Sequence, residues 1–419
     1  MRKRIALVVS VGVTGLLTWS GAPVVGAAPS WTSPQVLSVA GAAEGPQVAV
    51  ASDGRALVVW EGDTAQGSHI VSAARGVAGV WGAPKALGPI GDQVASSQQV
   101  AMNDHGFAVV TWVRSGRVFT AVRAAGAWSP ERRISAGGGG SFPQVAVTKA
   151  GGAYVVWQQV HGVKDRVLVV RRSADGRWSQ PSVLPSGFGD GQYPQVAVDA
   201  LGHATVVWQR MWGDGGRTAA LMSRLSHGRW SATRRLSAAK GNAGAPLLAM
   251  NARGDTVVTW NARQHGRLVV RGVVRPPAGP WRTARTVATG SLTDLALGRT
   301  GAAVVGWTRY VSGEYRFGLA RRPAGGSWQP GVLLWSADVQ TTAPVVAMGG
   351  GAIAVAWMTD AVRAVRQDGG AWGPVTPLGG TGVSYYQQVA MDSVGRAVVV
   401  WKQWNGVRDV VMASSSAPH

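Results

Sequence analysis

One phrase is written eight times along this chain. "PQVAVASDGRALVVW" (46–60), "PQVAVTKAGGAYVVW" (143–157), "PQVAVDALGHATVVW" (194–208) and "QQVAMDSVGRAVVVW" (387–401) are four of its copies. Their closing tryptophans recur as Trp60, Trp112, Trp157, Trp208, Trp260, Trp307, Trp357 and Trp401, 44 to 52 residues apart. A repeat of that period overrides any domain count drawn from chain length. It calls for an architecture in which each unit buries its apolar surface against the next.

Each tryptophan is preceded, six residues earlier, by a glycine: Gly54, Gly106, Gly151, Gly202, Gly254, Gly301, Gly351 and Gly395. A glycine fixed between two short apolar runs marks a hairpin turn with a positive φ. Asp53, Asn103, Asp199, Asn251 and Asp392 beside it supply turn hydrogen bonds. The flanking runs are short, rich in valine and apolar at successive positions, so they read as strands covered on both faces. A third strand such as "RVLVVRR" follows, then a tight turn and a second tryptophan that opens a fourth strand.

These second tryptophans are Trp81, Trp128, Trp178, Trp230, Trp281, Trp328 and Trp372, one fewer than the first set. Trp31, in "PSWTSPQVLS", is the missing member. Four antiparallel strands per unit make an all-β, eight-bladed β-propeller as the predicted fold. Small residues at one inner-strand position (Ala49, Ala101, Ala146, Ala197, Ala249, Ala296 and Ala390) suit the crowded axis. The predicted domain is 29–415: residues 29–40 form the fourth strand of blade 8, blades 1–7 fill about 41–380, and 381–415 hold the first three strands of blade 8. An open solenoid is the rival reading, and it would not need its first residues to complete its last unit.

"MRKR", the apolar run "IALVVSVGVTGLL" and the small-residue end "VVGAA" have the layout of a secretory signal peptide over residues 1–28. The run is shorter than the roughly 20 residues of a spanning helix, so export is expected in preference to anchoring. There is no cysteine, which excludes thiol catalysis and thiolate metal sites. The net charge is +21, or +18 once Arg2, Lys3 and Arg4 leave with the leader. That balance favours anionic polymers or surfaces; export makes wall polymers a better expectation than nucleic acid.

The pattern P-Q-V-A-V-D-x-x-G-x-A-x-V-V-W, followed by A-R-R and G-x-W-S-x-P-x-x-L-S, resembles propeller repeats of secreted bacterial proteins common in actinobacteria. More distantly it resembles Asp-box (sialidase-type) propellers: "SADGRWS" (173–179) occupies the turn where an Asp box would lie. The resemblance implies the fold. The arginine triad and Tyr/Glu pair of sialidases map onto no motif here, so no catalytic residue is carried over.

Phosphate loops, nucleophile elbows and zinc-protease or calcium-loop signatures are absent, and the seven histidines are scattered. No cofactor and no metal are expected. Loop carboxylates Glu61, Asp63, Asp92, Asp190, Asp214 and Glu314 are candidates for a glycosidase-type pair. Strand alternation places the glycine turns on one face of the ring, and the loops after each first tryptophan on the other with the blade connections. That second, variable face carries the unrepeated aromatics Phe142, Tyr193, Trp212, Tyr310, Tyr385, Tyr386 and Trp404, with amides Gln158, Gln209 and Gln403. Rings beside amides suit a glycan or a protein partner. The arginines Arg75, Arg123, Arg172, Arg224, Arg275, Arg322 and Arg366 recur just before the second tryptophans. They read as stacked on those rings or as an anion-binding rim.

The expected function is therefore that of an exported, monomeric, non-enzymatic binding or scaffold protein that recognises glycan or a protein partner through the variable face. A sialidase-like hydrolase or lyase and an electrostatic cell-envelope adhesin are the alternatives.

Overall fold

The computed structural model describes residues 31–38, 41–64, 67–91, 95–162, 164–184, 189–213, 216–226, 228–239, 241–337, 343–359, 361–379 and 384–416. The leader and the carboxylates Asp92 and Asp214 lie outside them. The described residues form strands and turns without helix, arranged as eight antiparallel sheets. Blade 1 spans 42–91, blade 2 95–133, blade 3 140–183, blade 4 190–235, blade 5 247–289, blade 6 291–337 and blade 7 345–377. Blade 8 is built from Ser384–Met391, Ala397–Trp404 and Asp409–Ser415, with Gln35–Val36 as its fourth strand.

The ring is closed. The inner strand of each blade contacts the inner strands of its two neighbours, including Ala42–Val50 of blade 1 against Ser384–Met391 of blade 8. The fourth strand of blade 8 pairs Gln35 with Ala413 and Val36 with Met412, and Trp31 bridges Ser416. Around it Thr32 N donates to Ser415 O at 2.8 Å, Leu37 N to Val411 O at 2.8 Å, and Ser415 N to Thr32 Oγ1 at 3.0 Å. This segment packs in both directions: Trp31 joins the cluster between blades 7 and 8, and Leu37 the one between blades 8 and 1.

Each joint between blades has its own apolar cluster, which explains the continuous valine runs. Val156 and Trp208 meet between blades 3 and 4, Val59 and Trp112 between blades 1 and 2, Phe317 and Trp357 between blades 6 and 7. All eight first tryptophans are buried, none more than 4% exposed. The eight second tryptophans, Trp31 among them, are half-buried at the rim. The repeated tryptophans are thus packing residues.

The glycine turns form a bonded face. Gly54 has φ +85°, and its N–H donates to Ala51 O at 3.0 Å. Side chains then tie one blade to the next. Arg396 Nη2 donates to Ser52 O (3.3 Å), Arg55 Nη2 to Asp104 O (3.0 Å), and Asn103 Nδ2 to Thr148 O (3.0 Å). Tyr154 Oη donates to Gly202 O (3.2 Å), Asn251 Nδ2 to Gly298 O (3.0 Å), and Arg366 Nη1 to Ser416 Oγ (3.1 Å).

The recurrent arginines belong to this face more than to a stacked rim. Arg172 Nη1 donates to Gly151 O at 2.8 Å while its guanidinium lies 5.1 Å from the Phe107 ring of the preceding blade. Arg322 Nη1 likewise donates to Gly301 O at 3.0 Å. Burial pushes the pKa of both downward. It is the neighbouring residue, Arg321, that lies over a second tryptophan, 5.3 Å from Trp372 of the next blade.

Candidate binding site at the channel mouth

On the opposite face five of the inner strands end in a bulge that the sequence did not announce. Two inner-strand residues oppose one first tryptophan: Gly45–Pro46 opposite Trp60, Ser97–Gln98 opposite Trp112, Phe142–Pro143 opposite Trp157. Tyr193–Pro194 opposes Trp208 in the same way, and Tyr386–Gln387 opposes Trp401. The first residue of each pair has a left-handed φ: +52° at Gly45, +56° at Ser97, +49° at Phe142, +50° at Tyr193 and +56° at Tyr386. Such a bulge bends the strand and re-aims a side chain. For a bulky aromatic a positive φ is a strained conformation costing on the order of 1 kcal/mol or more.

Three of these positions carry large, exposed rings at the mouth: Phe142 (44%), Tyr193 (41%) and Tyr386 (57%). Phe142 and Tyr193, on adjacent blades, sit with ring centroids 4.9 Å apart at 57°. Across the ring in blade 8, Tyr385 and Tyr386 are 6.3 Å apart, and Lys402 Nζ lies 5.7 and 5.9 Å from their centroids.

Amides brace the bulges. Gln158 is buried; its Nε2 donates to Asp165 Oδ2 at 2.7 Å and its Oε1 accepts from Tyr193 N at 3.4 Å. Gln98 Nε2 donates to Gly45 O of the preceding blade at 2.6 Å, and Gln387 Nε2 to Ala343 O at 2.8 Å. Gln158 therefore positions the aromatic residue, where the sequence had placed it among the contact amides. Gln209 is half-buried on the strand that pairs with Gln192.

The charges gather where blades 8 and 1 meet. Lys402 is ion-paired with Glu44 and, at 2.9 Å, with Asp409. Burial opposes its charge, but the two carboxylates outweigh that and raise its pKa. Glu44 stands directly across the strand pair from Glu61. Burial, helped by the charges of Asp63 and Glu44, pushes Glu61 up to about 6, although Ser68 Oγ donates to it at 2.9 Å. Burial also lowers the pKa of neighbouring His69, against the pull of Asp63.

The remaining expected aromatics lie elsewhere on this face. Trp212 is half-buried against the cluster between blades 3 and 4, with Arg210 and Arg235 at 4.6 and 5.4 Å from its ring. Tyr310 (63% exposed) lies tilted at 51° against Tyr315, centroids 4.7 Å apart, in the hairpin of blade 6, and Trp404 (43%) ends the second strand of blade 8. Of the proposed carboxylates, Asp190 accepts from Asp165 N at 3.0 Å and Glu314 pairs with Arg316 at 3.0 Å. Among the described residues no group of three His, Cys, Asp or Glu side chains could hold a metal ion.

No protein-family profile and no curated protein matches the chain. Among solved structures, the Dos1 propeller superposes with a TM-score of 0.56 at 9% identity, over 92% of this chain and 95% of that one. The polysaccharide lyase Uly1 gives 0.47 at 9% identity over 79% and 89%, and the Hadza microbial sialidase Hz136 gives 0.39 at 14% over 74% and 73%. At these identities the likeness is one of fold: the chain is a β-propeller.

Proposed function

We propose that this protein is an exported, non-enzymatic glycan-binding propeller whose ligand lies across the channel mouth. The observation that carries the reading is the set of aromatic residues held at left-handed φ in the inner-strand bulges. Backbone strain of this kind persists where the surrounding structure over-determines it, commonly at ligand sites. The same bulge recurs at Gly45 and Ser97, where a small residue fills it; at Phe142, Tyr193 and Tyr386 the position is given to a large ring that stays exposed. Flat rings on two sides of an opening supply stacking surfaces for sugar rings, and at one of them the partly exposed carboxylates of Glu44 and Asp409, held by buried Lys402, supply hydrogen-bond acceptors.

The test is a glycan array followed by calorimetry on wild type and a Tyr193→Gly/Tyr386→Gly variant. The variant is expected to lose binding at least tenfold. It should keep its melting temperature within a few degrees, and should melt above the matching double alanine variant because glycine relieves the strained φ. Unchanged binding in the glycine variant would remove the mouth as the site. Capture of a protein in place of any glycan would replace the ligand class, and release of reducing ends would replace binding by hydrolysis.

A further inference from the structure

A groove lies at the outer rim, away from the mouth. The second tryptophan of each blade leans on the outer strand of the blade before it, and at the joint of blades 5 and 6 this contact leaves an open groove of about 570 Å³. It is lined by Arg271, Thr283, Arg285 and Thr286 of blade 5 and by Ser327 and Trp328 of blade 6. A smaller groove, about 220 Å³, opens at the same place between blades 8 and 1, under Trp81.

The two joints also differ from the rest in the repeat. Three residues before the arginine (or, in blade 8, before Ser416), the third strand carries Gly272 in blade 5 and Ala413 in blade 8. The other blades have Ser72, Thr120, Val169, Leu221, Leu319 and Arg363 there. A Cβ at Gly272 would stand 2.7 Å from Val287 Cγ2 and 3.5 Å from Trp328 Nε1, so glycine lets Val287 pack against the strand beneath the indole edge at this joint.

The groove is cationic and lacks a counter-charge. Arg271 is half-buried, and burial lowers its pKa. Its Nη1 donates to Thr286 Oγ1 at 2.8 Å and its Nη2 to Ala284 O at 2.7 Å, two neutral acceptors that fix the guanidinium in place. The Arg285 guanidinium is exposed and has no hydrogen-bond or ion-pair partner among the described residues, while its backbone pairs with Gly272. No carboxylate lines the groove. A pre-oriented guanidinium with no anion, a second free one beside it and an indole wall with hydroxyls form a complementary surface for a ring bearing a negative group.

We infer that the groove between blades 5 and 6 binds an acidic saccharide, its carboxylate or sulfate on Arg271 and Arg285 and its ring against Trp328. The inference does not depend on the reading of the mouth. Calorimetry on the full chain at 50 and 150 mM salt, with trigalacturonate, a neutral galactose trisaccharide and inorganic sulfate as probes, tests it. Trigalacturonate is expected to bind at least tenfold more tightly than the neutral trisaccharide and than sulfate. Arg285→Gln, at an exposed position, should weaken it about tenfold, as should Arg271→Gln, while Tyr193→Gly/Tyr386→Gly leaves it unchanged. Equal binding of the neutral trisaccharide, sulfate binding as tightly as the sugar acid, no binding of any probe, or an Arg285→Gln protein with wild-type affinity would each overturn it.

Discussion

The two faces of the ring are made by the same repeat and use it in opposite ways. On the turn face, carboxylates and amides are spent on backbone groups. Asp392, 2% exposed, accepts from Val394 N at 3.0 Å and Arg396 N at 2.8 Å, while Asp199 accepts from Leu201 N and His203 N at 3.0 and 2.9 Å. The positive φ there falls on glycines, where it costs little, and on two small alanines, Ala125 and Ala278. At the mouth, the positive φ falls on tyrosine and phenylalanine, rings are exposed, and a buried Glu61 is held above the usual carboxylate range. Both faces join the blades, but only the mouth adds exposed rings at strained positions and a buried carboxylate with a raised pKa to those contacts.

If that contrast is right, the largest effect should come from opening the ring. Deleting 31–38 removes the strand that pairs with Asp409–Ser415 and takes Trp31 and Leu37 out of two joints. We expect loss of the cooperative transition, or a melting temperature lower by more than 10 °C, since several buried contacts of about 1–3 kcal/mol go together. An unchanged melting curve would refute closure. A smaller effect should come from Asp392→Ala, which orphans two backbone N–H groups and Arg396 for about 2–3 kcal/mol in denaturant unfolding. If Tyr386→Ala proved as destabilising as Asp392→Ala, the division of labour between the faces would fail.

What was readable in the sequence follows the same division. The tryptophan spacing, the turn glycines and the role of Trp31 were legible because every joint demands the same packing, so the solution is repeated eight times. The bulges were not, because the two residues opposite the tryptophan differ between blades: Gly-Pro, Ser-Gln, Phe-Pro, Tyr-Pro and Tyr-Gln. The available hint was the proline at Pro46, Pro143 and Pro194, which cannot donate to a ladder and so belongs at a bulge or an edge. The Lys402–Glu44 pair was invisible for another reason: ring closure alone brings residues 44 and 402 together. Gln158 looked like a free contact amide, and only the fold reveals Asp165 and the Tyr193 backbone as its partners.

The finest test of the contrast is electrostatic. Glu61 is pushed up to about 6 in the folded protein, against about 4.3 for an unfolded glutamate. Its contribution to stability is therefore fully present below about pH 4.3, declines between pH 4.3 and 6, and is gone above that. The full shift converts to about 2 kcal/mol, and with part of it screened by solvent wild type should lose about 1–2 kcal/mol from this group as pH rises through the window. Glu61→Gln keeps a partner for Ser68 and carries no charge, so it should not lose that increment and should be the more stable protein at pH 7.5. Asp294, also pushed to about 6 by burial, is common to both proteins, so the difference between their pH profiles isolates Glu61. On the turn face the sign reverses. The hydrogen bond from Arg55 holds Asp53 below the usual range, so its stabilisation is present at neutral pH and lost only as pH falls through the acid range. A Glu61→Gln profile parallel to wild type between pH 4 and 7 would show that the mouth stores no such charge.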